Sequence, residues 1–140
     1  MRFMIIVKAT RDSEAGVLPT GPKWEKVFAE MATYHEELQK AGVLLDASGL
    51  QPSSKGWRIK YSGGKRTVID GPFTEAKELI AGYTTIQVKS REEAMEWARR
   101  FPNPALEDGE IEVRQLHELD DFGSGAAVER FRRMGIGTEQ

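Results

Sequence analysis

One histidine and one aspartate in the first third of the chain are of the types needed for acid/base chemistry. His35 lies one helical turn from Met31 on a segment with apolar residues spaced by three and four, so its side chain is expected to point toward the sheet. Asp46 follows on an otherwise apolar, strand-like run. A histidine beside a carboxylate can titrate near neutral pH and act as a general base. We predict that His35 and Asp46 form such a pair; the alternative, which the rarity of catalytic residues favours, is a structural histidine with local hydrogen bonds.

Residues 70–78, with the sequence DGPFTEAKE, combine a turn signal with several charged groups. Asp70 closes a strand-like run, a Gly-Pro step turns the chain, and Phe73 is expected to fill the core. Asp70 is also expected to hydrogen-bond the amides of the turn. The segment therefore predicts a structural corner. Alternatively, Asp70, Glu75 and Lys77 line the rim of a cavity and hold a polar ligand.

Two cationic side chains lie on predicted strands. Arg114 shares one face of the last strand with Glu112, and Lys8 ends the first strand. If they face water, they are ordinary surface charges; if they face an enclosed cavity, the planar guanidinium of Arg114 would suit a carboxylate ligand. Tyr61 and Tyr83 could offer hydroxyls to such a cavity, although a strand tyrosine is more often a packing residue.

The composition limits the chemistry. The 140 residues suit one domain, and a formal net charge of −2 argues against a nucleic-acid partner. The chain has no cysteine and two histidines, which excludes thiolate chemistry and argues against a metal site. Neither a phosphate loop nor a Gly-x-Ser-x-Gly elbow is present, so no cofactor is expected. The apolar run at residues 3–7 is too short for a signal peptide or a membrane span, so a cytoplasmic protein without membrane partners is expected.

Hydrophobic periodicity and turn signals predict an α+β domain. Strands are predicted at residues 3–7, 43–52, 56–62, 65–70, 79–88 and 110–116, and helices at residues 22–41 and 90–101. The order β-α-β, hairpin, β-α-β is a ferredoxin-like pattern with an antiparallel sheet and an added hairpin. Two helices can cover only one face of such a sheet. A second copy of the chain is the simplest cover for the other face, which predicts a homodimer.

The sequence predicts a domain at residues 1–117 and a C-terminal tail at residues 118–140. The tail is rich in glycine and charge, with at most a short amphipathic helix that carries Val128, Phe131 and Met134. It is expected to dock on the body or on a second subunit, or to be partly disordered.

Four segments together resemble the YCII-related family in its DGPF branch, and the resemblance covers residues 1–117. They are AGVLLDASGLQPS (41–53), DGPFTEAKE (70–78), AGYTTIQV (81–88) and EEAMEWARR (92–100). The resemblance implies a dimeric α+β barrel, in which two ferredoxin-like sheets face each other around a cavity. It also implies a His–Asp acid/base pair in a cleft, and for some proteins of this fold small ring-derived acids or lactones as substrates. Genes of the DGPF branch often lie beside those of extracytoplasmic-function sigma factors, which implies a regulatory setting.

Three functions remain open from the sequence. The first is an enzyme that uses His35 and Asp46 on a small organic acid, with Arg114 or Lys8 as an anion anchor. The second is a non-catalytic, small-molecule-binding or regulatory module built on the same cavity. The third is a structural interaction protein, in which the 70–78 corner and the tail mediate contacts.

Overall fold

The computed structural model of the protein describes the backbone of residues 1–140 and every side chain except that of Lys77. The strands are β1 (Arg2–Lys8), β2 (Leu44–Gly49), β3 (Trp57–Ser62), β4 (Lys65–Asp70), β5 (Ile80–Gln87) and β6 (Ile111–Gln115). The helices are α1 (Arg11–Glu14), α2 (Pro22–Lys40), α3 (Arg91–Arg99) and α4 (Ala126–Arg133). None of the helices in the described chain has the length and apolar character needed to cross a membrane.

The short helix α1 lies within residues 11–22, a turn-rich segment for which the sequence predicts a loop between the first strand and the first helix. Thr10 caps it, because the Thr10 hydroxyl accepts a hydrogen bond from the Ser13 N–H at 3.1 Å. The Ser13 hydroxyl oxygen accepts in turn from the Thr10 N–H at 2.8 Å, which completes a capping box. The Thr-x-x-Ser spacing was the available signal, and the surrounding glycine and proline residues obscured it.

Four strands form an antiparallel sheet in the order β2-β5-β1-β6, and β3 and β4 form a separate hairpin. With the hairpin set aside, this order is consistent with the ferredoxin-like β-α-β-β-α-β arrangement. The predicted α+β class and the antiparallel sheet are confirmed. The barrel made with a second copy stays a prediction.

Helices α2 and α3 cover the same face of the sheet, which we call the helix face. The core between them consists of Phe3, Ile5, Tyr34, Leu38, Val43, Ile86, Val88, Ala94 and Phe101. The predicted apolar stripe of α2 is buried in its C-terminal half, at Tyr34 and Leu38. In its N-terminal half, Phe28 is exposed and packs edge-on against Trp24, with 5.1 Å between the ring centres. The opposite side of the sheet, which neither helix covers, is the open face.

The C-terminal tail packs on its own chain at one end of the open face. Arg2, at the start of β1, donates to Glu118 at 3.0 Å, and the side chain of Gln87, at the end of β5, bonds the backbone of Gln140. Leu119 is buried and its N–H donates to the Gly137 carbonyl at 2.8 Å. The tail therefore covers the Arg2 end of the sheet and leaves the Lys8 end uncovered. The domain boundary at residue 117 stays a prediction.

Candidate functional site

The strand register fixes which side chains share the open face, because residues directly opposite each other in a sheet point to the same side. Thr85 of β5 pairs with both Met4 and Asp46, and Met4 pairs with Arg114. These four residues form one row across the sheet. The next row toward the Lys8 end consists of Ser48, Tyr83, Ile6 and Glu112. The open face therefore has a floor of half-buried Met4 and buried Ile6 and Thr85, with polar and charged groups on either side.

Asp46 and Tyr83 form a hydrogen-bonded pair on one side of this floor. The phenol of Tyr83 donates to Oδ2 of Asp46 at 3.2 Å. Asp46 is exposed and Tyr83 is half-buried, so the second carboxylate oxygen of Asp46 can accept from a ligand. The sequence favours a packing role for Tyr83, because its contact with Asp46 depends on the register between β2 and β5.

The other side of the floor carries Lys8, Glu112 and Arg114. Lys8 and Glu112 form an ion pair at 3.2 Å, which contributes at most about 1 kcal/mol at this exposure. Arg114 is exposed, and no carboxylate of the described side chains lies within ion-pair distance of its guanidinium. Arg114 can therefore take an anion without first breaking an internal pair.

His35 lies on the helix face and holds α2 to the sheet. Its Nδ1 is 2.7 Å from the Met31 carbonyl oxygen, and its Nε2 is 2.9 Å from the hydroxyl oxygen of Thr84. A carbonyl can only accept, so Nδ1 carries a proton, and in the neutral ring the Thr84 hydroxyl donates to Nε2. Both ring nitrogens are thus occupied by structural partners, and Thr84 itself is buried.

The predicted His35–Asp46 pair is not formed, because the sheet separates the two side chains. Thr84 contacts His35 on the helix face, whereas its neighbour Tyr83 contacts Asp46 on the open face. The physical reason is a β-bulge between Leu44 and Asp46. Leu44 packs against the core, and strict alternation would place Asp46 on the same side. The extra residue in the bulge turns Asp46 to the opposite face.

The 70–78 segment forms a tightly anchored corner at the base of the hairpin. The Gly71 N–H donates to the Gly56 carbonyl at 3.0 Å, and the Phe73 N–H donates to the hydroxyl of Ser53, also at 3.0 Å. Glu14 of α1 accepts hydrogen bonds from both the N–H and the hydroxyl of Ser53. Three separate segments of the chain therefore meet at this corner.

Several details of the corner differ from the prediction. Asp70 is exposed opposite Trp57, and among the described groups its carboxylate has no hydrogen-bond donor, so the predicted cap is not formed. Phe73 is only half-buried, with the Arg58 guanidinium 3.7 Å from its ring centre, and lies outside the core. Glu75 is exposed and the side chain of Lys77 lies outside the described residues. A ligand-binding role for Asp70, Glu75 and Lys77 stays a prediction.

Two surface clefts lie away from the open face. One, of about 460 Å³, is lined by the loop between α3 and β6, including Asn103 and Asp108. The other, of about 410 Å³, lies between α2 and α3 beside Glu37 and Arg100. Neither contains a residue of the open face. Neither cleft is therefore the cavity predicted between two facing sheets.

The fold and the open face define a class of protein: a ferredoxin-like α+β domain with a polar, uncovered sheet surface. Comparison with known proteins is consistent with this class. Residues 1–120 match the YCII-related domain. An uncharacterized protein of Rhizobium meliloti (strain 1021) is 33% identical over 92 residues, which cover 66% of this chain and 74% of that protein. The chain belongs to the YCII-related family.

Proposed function

We propose that this protein is a homodimeric small-molecule-binding module whose ligand is a small organic anion held on the open face of the sheet. One observation carries the proposal: the unpaired guanidinium of Arg114 and the Asp46–Tyr83 pair lie on the same face of the sheet, on opposite sides of its floor. Arg114 would bind the carboxylate of the ligand through its two-pronged guanidinium. Asp46 would accept from a hydroxyl or amine at the other end of the ligand.

The sheet sets the length of the ligand. Arg114 lies on β6 and Asp46 on β2, the two edge strands, with β1 and β5 between them. Three interstrand spacings separate their backbones by roughly 14 Å, and the side chains can lean inward to shorten that span. The floor of Met4 and Ile6 between them favours a ligand with an apolar middle. These features support a hydroxy or amino acid with a hydrocarbon or aromatic body.

The homodimer is part of the proposal. Ligand sites of proteins are concave and remove most of the ligand surface from water. Neither α2 nor α3 covers the open face, so a second copy packed against it would supply the other wall of the site. This arrangement agrees with the dimeric α+β barrel that the resemblance implies.

A binding module accounts for the residues better than a His–Asp enzyme, because His35 is engaged with Met31 and Thr84 on the other side of the sheet. The alternative is an enzyme that uses Asp46 and Tyr83 as its acid/base groups, and their 3.2 Å hydrogen bond favours it over any enzyme based on His35. Turnover of a bound acid that is lost in Asp46→Asn would identify the enzyme; binding without turnover would identify the module.

The binding proposal is tested with a panel of aromatic and aliphatic hydroxy and amino acids by thermal shift and calorimetry. We expect Arg114→Gln to weaken the binding of any hit by at least tenfold, because it removes the charge-assisted pair. Asp46→Asn should weaken hits that carry a hydroxyl or amine and leave simple carboxylates unchanged. Arg91→Gln, an exposed substitution at the start of α3, is the matched control and should bind as the unmodified protein does. Equal affinity in Arg114→Gln and Arg91→Gln would refute the site.

Two finer assignments belong to the same proposal. Membership in the DGPF branch is supported by residues 70–73, which carry the DGPF sequence at the anchored corner. A regulatory link to an extracytoplasmic-function sigma factor, which the resemblance implies, fits a module that senses a small molecule. A cytoplasmic location is proposed because the apolar run at residues 3–7 is too short for a signal peptide.

A further inference from the structure

The β3–β4 hairpin carries an uncovered apolar surface on one side. The register places Ile59 opposite Val68, with Trp57 and Tyr61 on the same side of β3. Trp57, Tyr61 and Val68 leave 64%, 69% and 62% of their surface exposed. We call Trp57, Ile59, Tyr61 and Val68 the hairpin patch. Isolated hairpins are marginally stable in water, and apolar patches of several hundred Å² often mark a protein–protein contact, so the hairpin patch is a candidate interaction surface.

The other side of the hairpin, which we call the cationic side, carries Arg58, Lys60 and Lys65 beside Thr67 and Ile69. The hairpin patch has charged residues only at its edges, where Arg66 lies opposite Tyr61 and Asp70 lies opposite Trp57. The patch side is therefore the more apolar of the two sides.

A second uncovered apolar surface lies on the tail, beyond the residues that match the family domain. Phe131 and Met134 are one helical turn apart at the end of α4, and the N–H of Ile136 donates to the Phe131 carbonyl at 3.1 Å. Met134 and Ile136 leave 61% and 51% of their surface exposed. We call Phe131, Met134 and Ile136 the tail patch.

The two patches lie at opposite ends of the sheet. The hairpin leaves the sheet after Gly49 and returns at Ile80, which pairs with Lys8, so it stands at the Lys8 end. The tail packs over the Arg2 end. Consider a dimer whose open faces meet and whose two-fold axis lies parallel to the sheets and perpendicular to the strands. This axis puts the Lys8 end of each copy over the Arg2 end of the other. One symmetry operation then brings each hairpin to the partner's tail.

We propose that the hairpin patch of one copy docks on the tail patch of a second copy, and reciprocally, so that exchanged hairpins clamp the homodimer. The inference rests on the homodimer of the proposed function and names the surfaces that hold it together.

The available area matches what a stable dimer needs. Since a large aromatic side chain offers about 150–250 Å² of surface, the hairpin patch exposes on the order of 400 Å² and the tail patch roughly 300 Å². Two reciprocal contacts would bury on the order of 1,400 Å², within the range of stable interfaces of about 1,200–2,000 Å².

The absence of cysteine from the chain gives a clean test by disulfide crosslinking. The full-length double variant Tyr61→Cys/Phe131→Cys is exposed to a mild oxidant and analysed without reductant. We expect a covalent dimer at least tenfold faster than with either single variant, because closure within one copy is prevented by the opposite positions of the two sites. The control variant Tyr61→Cys/Leu18→Cys keeps the hairpin cysteine and moves the second one to another exposed position. Equal crosslinking in the control, or no crosslinking in the test variant, would overturn the proposal.

Light scattering provides a second measurement that does not depend on disulfide geometry. Trp57→Lys and Met134→Lys should each give a folded monomer at concentrations where the unmodified protein is a dimer. Thr67→Lys adds the same charge to the cationic side of the hairpin and should leave the dimer intact. If both patch variants remain dimers, the proposed contact between hairpin patch and tail patch is wrong. If the unmodified protein is a monomer, both this contact and the homodimer of the proposed function are wrong. Crosslinking without ligand binding would instead refute the proposed function and leave the clamp standing.

Discussion

At Gly71 the backbone leaves no space for a side chain. A Cβ atom at this position would lie 1.9 Å from the carbonyl oxygen of Ser53. Non-bonded contacts between a Cβ atom and an oxygen are never that short. The oxygen belongs to the backbone, so the surrounding chain would have to shift with it. Gly71 thus supports the interpretation of the 70–78 segment as a structural corner. The hydrogen bonds expected between the Asp70 carboxylate and the amides of the turn are not formed.

We predict that Gly71→Ala opens the corner and lowers the free energy of unfolding by about 1–3 kcal/mol, the usual cost of forcing extra volume into a packed site. The matched control is Gly56→Ala in the same corner, where the added Cβ would lie at an ordinary 3.6 Å from the same Ser53 oxygen. Urea unfolding followed by circular dichroism measures both. Equal stability of the two variants would show that the corner relaxes at no cost.

At the scale of elements, the sequence predicted the strands and helices well because their apolar spacing is regular. The two strands around Gly63-Gly64, and the helix start at Ser90, where the hydroxyl accepts from the Glu93 N–H at 3.1 Å, follow directly from local signals. The side of the sheet on which Asp46 lies could not be predicted, because a bulge depends on the pairing of β2 with β5 and leaves no mark in the spacing of β2 itself. Phe28 fits the apolar stripe of α2 and is nevertheless exposed, because periodicity cannot show where the covering sheet ends.

The contact between α2 and α3 depends on a buried tyrosine. The Tyr34 hydroxyl donates to the Trp97 carbonyl at 2.7 Å, and its ring packs against Phe101. Burial raises the pKa of Tyr34 to about 12, since the charged phenolate is poorly solvated there. In the unfolded chain a tyrosine has a pKa of about 10. Stability from this group is therefore complete below pH 10 and is lost as the pH rises from 10 toward 12.

We predict that Tyr34→Phe lowers stability at pH 7 by about 0.5–1.5 kcal/mol through the lost hydrogen bond. It should also reduce the fall in stability between pH 10 and pH 12, because the ionisable group is gone. Unfolding in urea at a series of pH values measures both effects, with Tyr61→Phe on the exposed hairpin as the control. An alkaline limb that is unchanged in Tyr34→Phe would show that another group governs it.

At the scale of the whole molecule, the uncovered surfaces are the dominant feature. The open face, the hairpin patch and the tail patch all lie outside the single core that α2 and α3 build with the sheet. From the sequence, the count of two helices for one sheet already indicated that one face needs a partner. The exposure of the hairpin could not be predicted, because its alternating pattern is the same whether the body or another copy covers it.

The proposed dimer predicts that thermal stability depends on protein concentration. Association stabilises the folded state by mass action, so the midpoint of unfolding should rise steadily as the concentration increases from about 1 to 100 μM. Differential scanning calorimetry of the unmodified protein measures this rise, and Trp57→Lys should abolish it. A midpoint independent of concentration over that range would argue that one copy is the stable unit.

The bulge between Leu44 and Asp46 also has a meaning for comparisons within the family. One residue of chain length decides whether an acid near the start of β2 reaches the helix face, where His35 lies, or the open face beside Tyr83. Two relatives with identical acids and histidines could therefore differ in chemistry through a single insertion or deletion. An alignment that places the gap elsewhere would pair side chains that lie on opposite sides of the sheet. Before a catalytic role is transferred between relatives, the number of residues in this part of β2 should therefore be compared first, and the residue types second.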